Sequence, residues 1–129
     1  VRSKGDSVTD NTQVYLADTL GEMKELMAHA RIVVMGGSFD QTGGHNLLEP
    51  ASLGCAIITG PSDHGIRNDI KMLGDGLIQV GDMAQCWRCI GEMLDAPERA
   101  HRLGETARQR LAAQPDMVHL YLQEMAPWL

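Results

Sequence analysis

The chain has 129 residues, enough for one domain with its own core, and its 43% hydrophobic content argues against disorder. No apolar run approaches the ~20 residues that span a bilayer, the polar opening Val1-Arg2-Ser3-Lys4-Gly5-Asp6 lacks the apolar centre of a signal peptide, and a net charge of -6 argues against broad nucleic-acid binding. The three cysteines, Cys55, Cys86 and Cys89, are odd in number and show no framework spacing, which points to a reducing, cytoplasmic compartment.

Residues 1–13 read as a polar loop. Val14-Tyr15-Leu16-Ala17 reads as a buried strand, followed by a helix whose Thr19 and Glu22 have capping-box spacing. Leu20, Met23, Leu26, Met27 and Ala30 fall on one face of that helix. Ile32-Val33-Val34-Met35 is a second strand, ending in a glycine-rich loop that runs to Gly44. A short helix is predicted from Asn46 to Gly54, with Pro50 early enough to cost few hydrogen bonds. Ala56-Ile57-Ile58-Thr59 is a third strand, stopped by Gly60-Pro61. A helix over 68–73 leads to a fourth strand, Leu77-Ile78-Gln79-Val80.

Asp82 is placed to cap the next helix, with Met83, Trp87, Ile90 and Leu94 as its inner face. Pro97 opens another, with Ala100, Leu103, Ala107 and Leu111 inward. A last helix is predicted from Pro115 towards Trp128; its Val118, Tyr121, Leu122, Met125 and Trp128 are apolar enough to need a partner surface. Strands separated by helices imply parallel pairing, so the fold class is α/β: a Rossmann-like parallel sheet flanked by helices. Residues 1–129 are expected to form one domain, N-terminally truncated, because a complete domain of this type usually has one or two further strands upstream.

In open parallel sheets ligands bind at the carboxyl ends of the strands. Two such ends stand out. At Asp18-Thr19-Leu20-Gly21-Glu22 a helix start offers backbone N–H groups to a phosphate, although an ordinary capped helix has the same residues. The second runs from Gly36-Gly37-Ser38 to Gly43-Gly44-His45-Asn46-Leu47-Leu48-Glu49. Two glycine pairs allow close backbone approach, His45 and Asn46 sit at a helix start, and Glu49 can accept from ribose hydroxyls. Neither a Walker loop nor G-x-G-x-x-G is present, so an anion site here is built differently.

The runs Gly36-Gly37-Ser38-Phe39, Gly43-Gly44-His45-Asn46-Leu47-Leu48-Glu49-Pro50-Ala51 and Ile58-Thr59-Gly60-Pro61 resemble the pattern of 3-deoxy-D-manno-octulosonic acid (Kdo) transferases. Arg2-Ser3, Leu16-Ala17-Asp18-Thr19 and Gly21-Glu22 match the preceding stretch with its spacing kept, so the likeness covers the first half of the chain. It implies the C-terminal, donor-binding half of a GT-B glycosyltransferase. Such enzymes transfer Kdo from CMP-Kdo to a lipid A precursor in lipopolysaccharide biosynthesis, associated peripherally with the cytoplasmic side of the bacterial inner membrane. It implies CMP contacts at Leu20, Gly21, Glu22, Asn46, Leu47, Leu48 and Glu49, with Gly36, Gly37, Ser38, Gly43, Gly44 and His45 as the supporting loop. No metal or other cofactor is implied. The family's base is a glutamate of the N-terminal domain, so no catalytic residue is assigned and this part alone is expected to be inactive.

After Gly60-Pro61 the chain departs from the family pattern, carrying Ser62-Asp63-His64-Gly65-Ile66-Arg67, where His64 and Arg67 are candidate positive charges. Cys86-Trp87-Arg88-Cys89 lies mid-helix and without a second pair, so it reads as structural thiols and not as a redox or zinc site. The remaining histidines, His29, His101 and His119, form no ligand pattern, and the eight methionines read as core filler. Two alternatives stay open: another GT-B donor domain for a UDP- or GDP-sugar, and a non-catalytic flavodoxin-like binding domain.

Overall fold

A computed structural model describes residues 1–114 together with Asp116, His119, Gln123 and Ala126. Its centre is a three-stranded parallel sheet in the order β1 (Ile32–Met35), β2 (Ala56–Thr59), β3 (Leu77–Gln79). Ile57 pairs with Val33 and Leu77, and Ile58 pairs with Val34 and Ile78. All four residues of β2 are buried, because helices cover both faces. Ile57 and Leu77 point into one apolar layer with Leu47, Leu48, Ile66 and Leu73, from α2 (Leu48–Ser52), α3 (Arg67–Leu73) and the turns before them. Ala56 and Ile58 point into the other, against Cys86 and Met93 of α4 (Met83–Asp95). The alternation follows from the two-residue period of a strand.

Helix α5 (Pro97–Ala112) opens with proline in its first turn and buries Ala100, Gly104, Ala107 and Leu111 against both layers, on the face read from the sequence. Its close approach needs glycine: a Cβ on Gly104 would lie 1.9 Å from the Gly54 carbonyl oxygen. Asp82 caps α4 as predicted, its side chain accepting from Gln85 N at 2.8 Å, while the Gln85 side chain accepts from Gly81 N at 2.8 Å.

The structure corrects the sequence reading at three places. Val14–Ala17 forms no strand. The segment has no regular structure and is unpaired with the sheet, with Val14 86% and Leu16 57% exposed, and Leu16 O accepts from Arg2 N at 2.9 Å. Asp18 anchors it to the N-terminal turn by accepting from both the backbone and the hydroxyl of Ser3. Helix α1 (Met23–His29) begins later than the apolar period suggested: Thr19 does donate to Glu22, but Glu22 is the N-cap, and Leu20 lies outside the helix.

The third correction is to α4, which buries Cys86 and Met93 and half-buries Cys89 and Ile90, whereas Met83, Trp87 and Leu94 face outward. Both sets are complete helical faces that share Ile90, and the small thiols fit a helix lying close on the sheet. Both thiols pack towards the sheet, Cys86 fully buried and Cys89 partly so, and burial pushes the Cys86 thiol up and away from the thiolate range. Methionine is only partly core, since Met35 and Met93 are buried but Met23 and Met83 are exposed. The apolar residues of the expected last helix, Val118 to Trp128, lie outside the described residues.

Candidate functional site

At the carboxyl end of β1 the chain makes a 3-10 turn, Gly36–Phe39, whose buried Ser38 joins two strand ends. Its hydroxyl donates to Met35 O and accepts from Gly60 N at 2.7 Å, and its carbonyl accepts from Ser62 N at 2.9 Å. Gly37 packs on the returning loop so closely that a Cβ would lie 2.0 Å from Gly43 O, and Gly43 has φ of 91°. These glycines let the loop close on itself. Gly36 differs: a Cβ there would meet nothing within 4 Å, leaving its backbone open to approach.

The loop then enters α2. Leu47 and Leu48 are buried, so their side chains belong to the core. Their N–H groups are also engaged: Leu47 N donates to Asp69 Oδ2 at 3.2 Å and Leu48 N to Asn46 Oδ1 at 2.8 Å. His45 N donates to the Met35 thioether at 3.3 Å. What remains facing outward is the side chains of His45, Asn46 and Glu49. Together with Gly36, these line a hollow of about 460 Å³, whose apolar wall is Met23, Leu26, Met27 and Ala30 of the α1 region and the residues of β1.

An apolar hollow that runs along β1 and carries a few polar groups near the strand's carboxyl end suits an aromatic base or sugar ring with its hydroxyls directed at the polar wall. The Asn46 amide keeps its NH2 donors, and Glu49 offers two acceptor oxygens. Of the residues chosen from the sequence, Gly36, His45, Asn46 and Glu49 converge on the hollow. Gly37, Ser38, Gly43, Gly44, Leu47 and Leu48 build the loop behind it.

Leu20, Gly21 and Glu22 do not line this hollow. Glu22 instead lines a separate one of about 340 Å³ with Arg2, Tyr15 and His29, and forms an ion pair with Arg2 at 2.8 Å. Met23 and Leu26 were read as core but form the apolar wall; their amphipathic spacing was visible, the missing cover was not. Arg67, a candidate positive charge, is held by Asp63 through Nε at 2.6 Å and NH2 at 3.2 Å, which keeps the Asp63 carboxyl below its ordinary range. His64 is exposed beside Gly43, its ring Cδ2 3.0 Å from where a Cβ of Gly43 would lie. Among the described residues no group of three or more His, Cys, Asp or Glu is placed to hold a metal, and no helix is long and apolar enough to cross a membrane.

Comparison with known proteins agrees with this architecture. The chain is 30% identical over 131 residues to 3-deoxy-D-manno-octulosonic acid transferase of Haemophilus influenzae, covering 99% of this chain and 31% of that protein. It is 43% identical over 98 residues to the enzyme of the same name from Rickettsia prowazekii, covering 74% of this chain and 21% of that one. The chain thus spans under a third of the length of these relatives. The crystal structure of the C-terminal CMP-Kdo binding domain of WaaA from Acinetobacter baumannii superposes with a TM-score of 0.78 at 32% identity, covering 85% of this chain and 58% of that one. The family described as glycosyl transferases group 1 matches residues 3–110, and the chain belongs to it.

Proposed function

We propose that this chain binds the nucleotide of CMP-Kdo and serves as the donor side of a Kdo transferase acting on a lipid A precursor in lipopolysaccharide biosynthesis. The observation that carries this reading is the convergence of Asn46 and Glu49 on the hollow at the end of β1, within a chain 32% identical to a CMP-Kdo binding domain. In this reading the apolar wall packs the nucleoside, Glu49 accepts from the ribose hydroxyls and Asn46 donates to the nucleotide. Holding the departing CMP stabilises the charge that develops as the bond to Kdo breaks. The acceptor, the base and the opposing wall of the cleft belong to a further domain of the working enzyme, at the cytoplasmic side of the inner membrane.

Leu20, Gly21 and Glu22 meet the nucleotide in this reading only if the segment before α1 shifts and releases the Arg2–Glu22 pair. Titration with CMP followed by amide NMR tests the site. The expected result is perturbation of Gly36, His45, Asn46 and Glu49, with Glu49→Ala weakening binding about tenfold or more. Perturbations gathered elsewhere, or a Glu49→Ala protein that binds as the wild type does, would move the nucleotide off this wall.

A further inference from the structure

The segment that follows β2, where the sequence departs from the family pattern, holds the candidate site from behind. Besides its contacts with Ser38 and Gly43, it touches the stretch from Gly44 to Leu47 at three points. Gly44 N donates to His64 O at 3.1 Å. Gly44 packs on the buried Ile66 so closely that a Cβ would lie 2.7 Å from its Cδ1. Leu47 N donates to the Asp69 carboxylate at 3.2 Å across 22 residues of chain. Of the three, only the last is made by an ionisable side chain.

Asp69 is half-buried, and burial pushes its carboxyl above the ordinary range while the Leu47 N–H pulls it back. Among the described residues no cation lies within ion-pair distance of it. A desolvated carboxylate without a cation is costly, so its hydrogen bond at the entry to α2 is the compensating contact. That contact fixes the backbone of Leu47, the residue between Asn46 and the helical turn that carries Glu49.

Resting on the nucleotide-site reading above, we propose that Asp69 is a positioning residue of that site. Through Leu47 it sets where Asn46 and Glu49 stand on the wall of the hollow, without touching the ligand. Asn46 itself bonds only locally, to Leu48 N, so Asp69 is the side chain from another element that holds the backbone beside it.

The test compares wild type, Asp69→Ala and Asp69→Asn in the full chain, at temperatures where thermal melts show all three folded. CMP affinity is measured, and the amide exchange of Leu47 is followed without ligand. Asp69→Ala is expected to weaken CMP about tenfold and to expose the Leu47 amide. Asp69→Asn keeps an acceptor oxygen and is expected to stay within about threefold of wild type. Equal or tighter CMP binding by Asp69→Ala, or an unchanged Leu47 amide, overturns the positioning role while leaving the site intact. Wild-type protein that binds no CMP removes the site reading itself, and the positioning role with it.

Discussion

At the residue scale the two buried hydroxyls at the strand ends behave oppositely. Ser38 uses its hydroxyl as both donor and acceptor, closing β1 onto the start of the β2–α3 loop. Thr59, at the end of β2, is equally buried, yet its Oγ1 has no partner among the described residues. Burying an unpaired hydroxyl is unfavourable, so Thr59→Val is expected to stabilise the fold by up to about 1 kcal/mol in urea denaturation. A loss of stability would mean that Oγ1 is satisfied.

Asp69 gives a pH dependence of defined sign. Its carboxyl lies above the ordinary value in the folded chain, so the folded state disfavours the charged form. Its contribution to stability is therefore present in acid, below the unfolded value, and is lost as pH rises through the raised one. Relative to Asp69→Asn, wild-type stability is expected to fall as pH rises above the ordinary aspartate value of about 4. A difference that grows with pH would show that the carboxylate is favoured in the fold. The polar side of the hollow was legible in the sequence, because a helix start after a glycine loop fixes where His45, Asn46 and Glu49 stand, but its apolar wall along α1 and β1 was not. The engagement of Leu47 and Leu48 was not legible, since Asp69 lies 22 residues away in the chain.

At the scale of elements, β1, β2, β3, α3 and α5 formed close to where apolar period, proline and glycine placed them. What failed was what period alone does not decide. In α4 two faces shared Ile90, and depth against the sheet chose the one with the smaller side chains. Met93→Ala is accordingly expected to cost about 2–5 kcal/mol, and Trp87→Ser less than about 0.5 kcal/mol, in parallel denaturation curves. The opposite ranking would return Trp87 to the core.

Val14–Ala17 has strand composition but lies away from the sheet, because a strand also needs a partner edge, and the Ser3 and Arg2 contacts hold this segment elsewhere. The outer edge of β1 pairs with no strand among the described residues. If the CMP contacts include Leu20, Gly21 and Glu22, their amide exchange slows on saturation with CMP. Exchange at the free rate would restrict the site to the Gly36–Glu49 wall.

For the whole molecule, a parallel α/β sheet of the glycosyl transferases group 1 family carries the proposed cytidine nucleotide site beside β1. Calorimetric titration of the chain with CMP, against UMP, UDP and GDP, tests it most directly. CMP is expected to bind at least about tenfold tighter than the three other nucleotides, and Glu49→Ala to weaken it. Preference for UDP or GDP would assign the hollow to a different sugar donor, and binding of none of the four would contradict a nucleotide site in this chain.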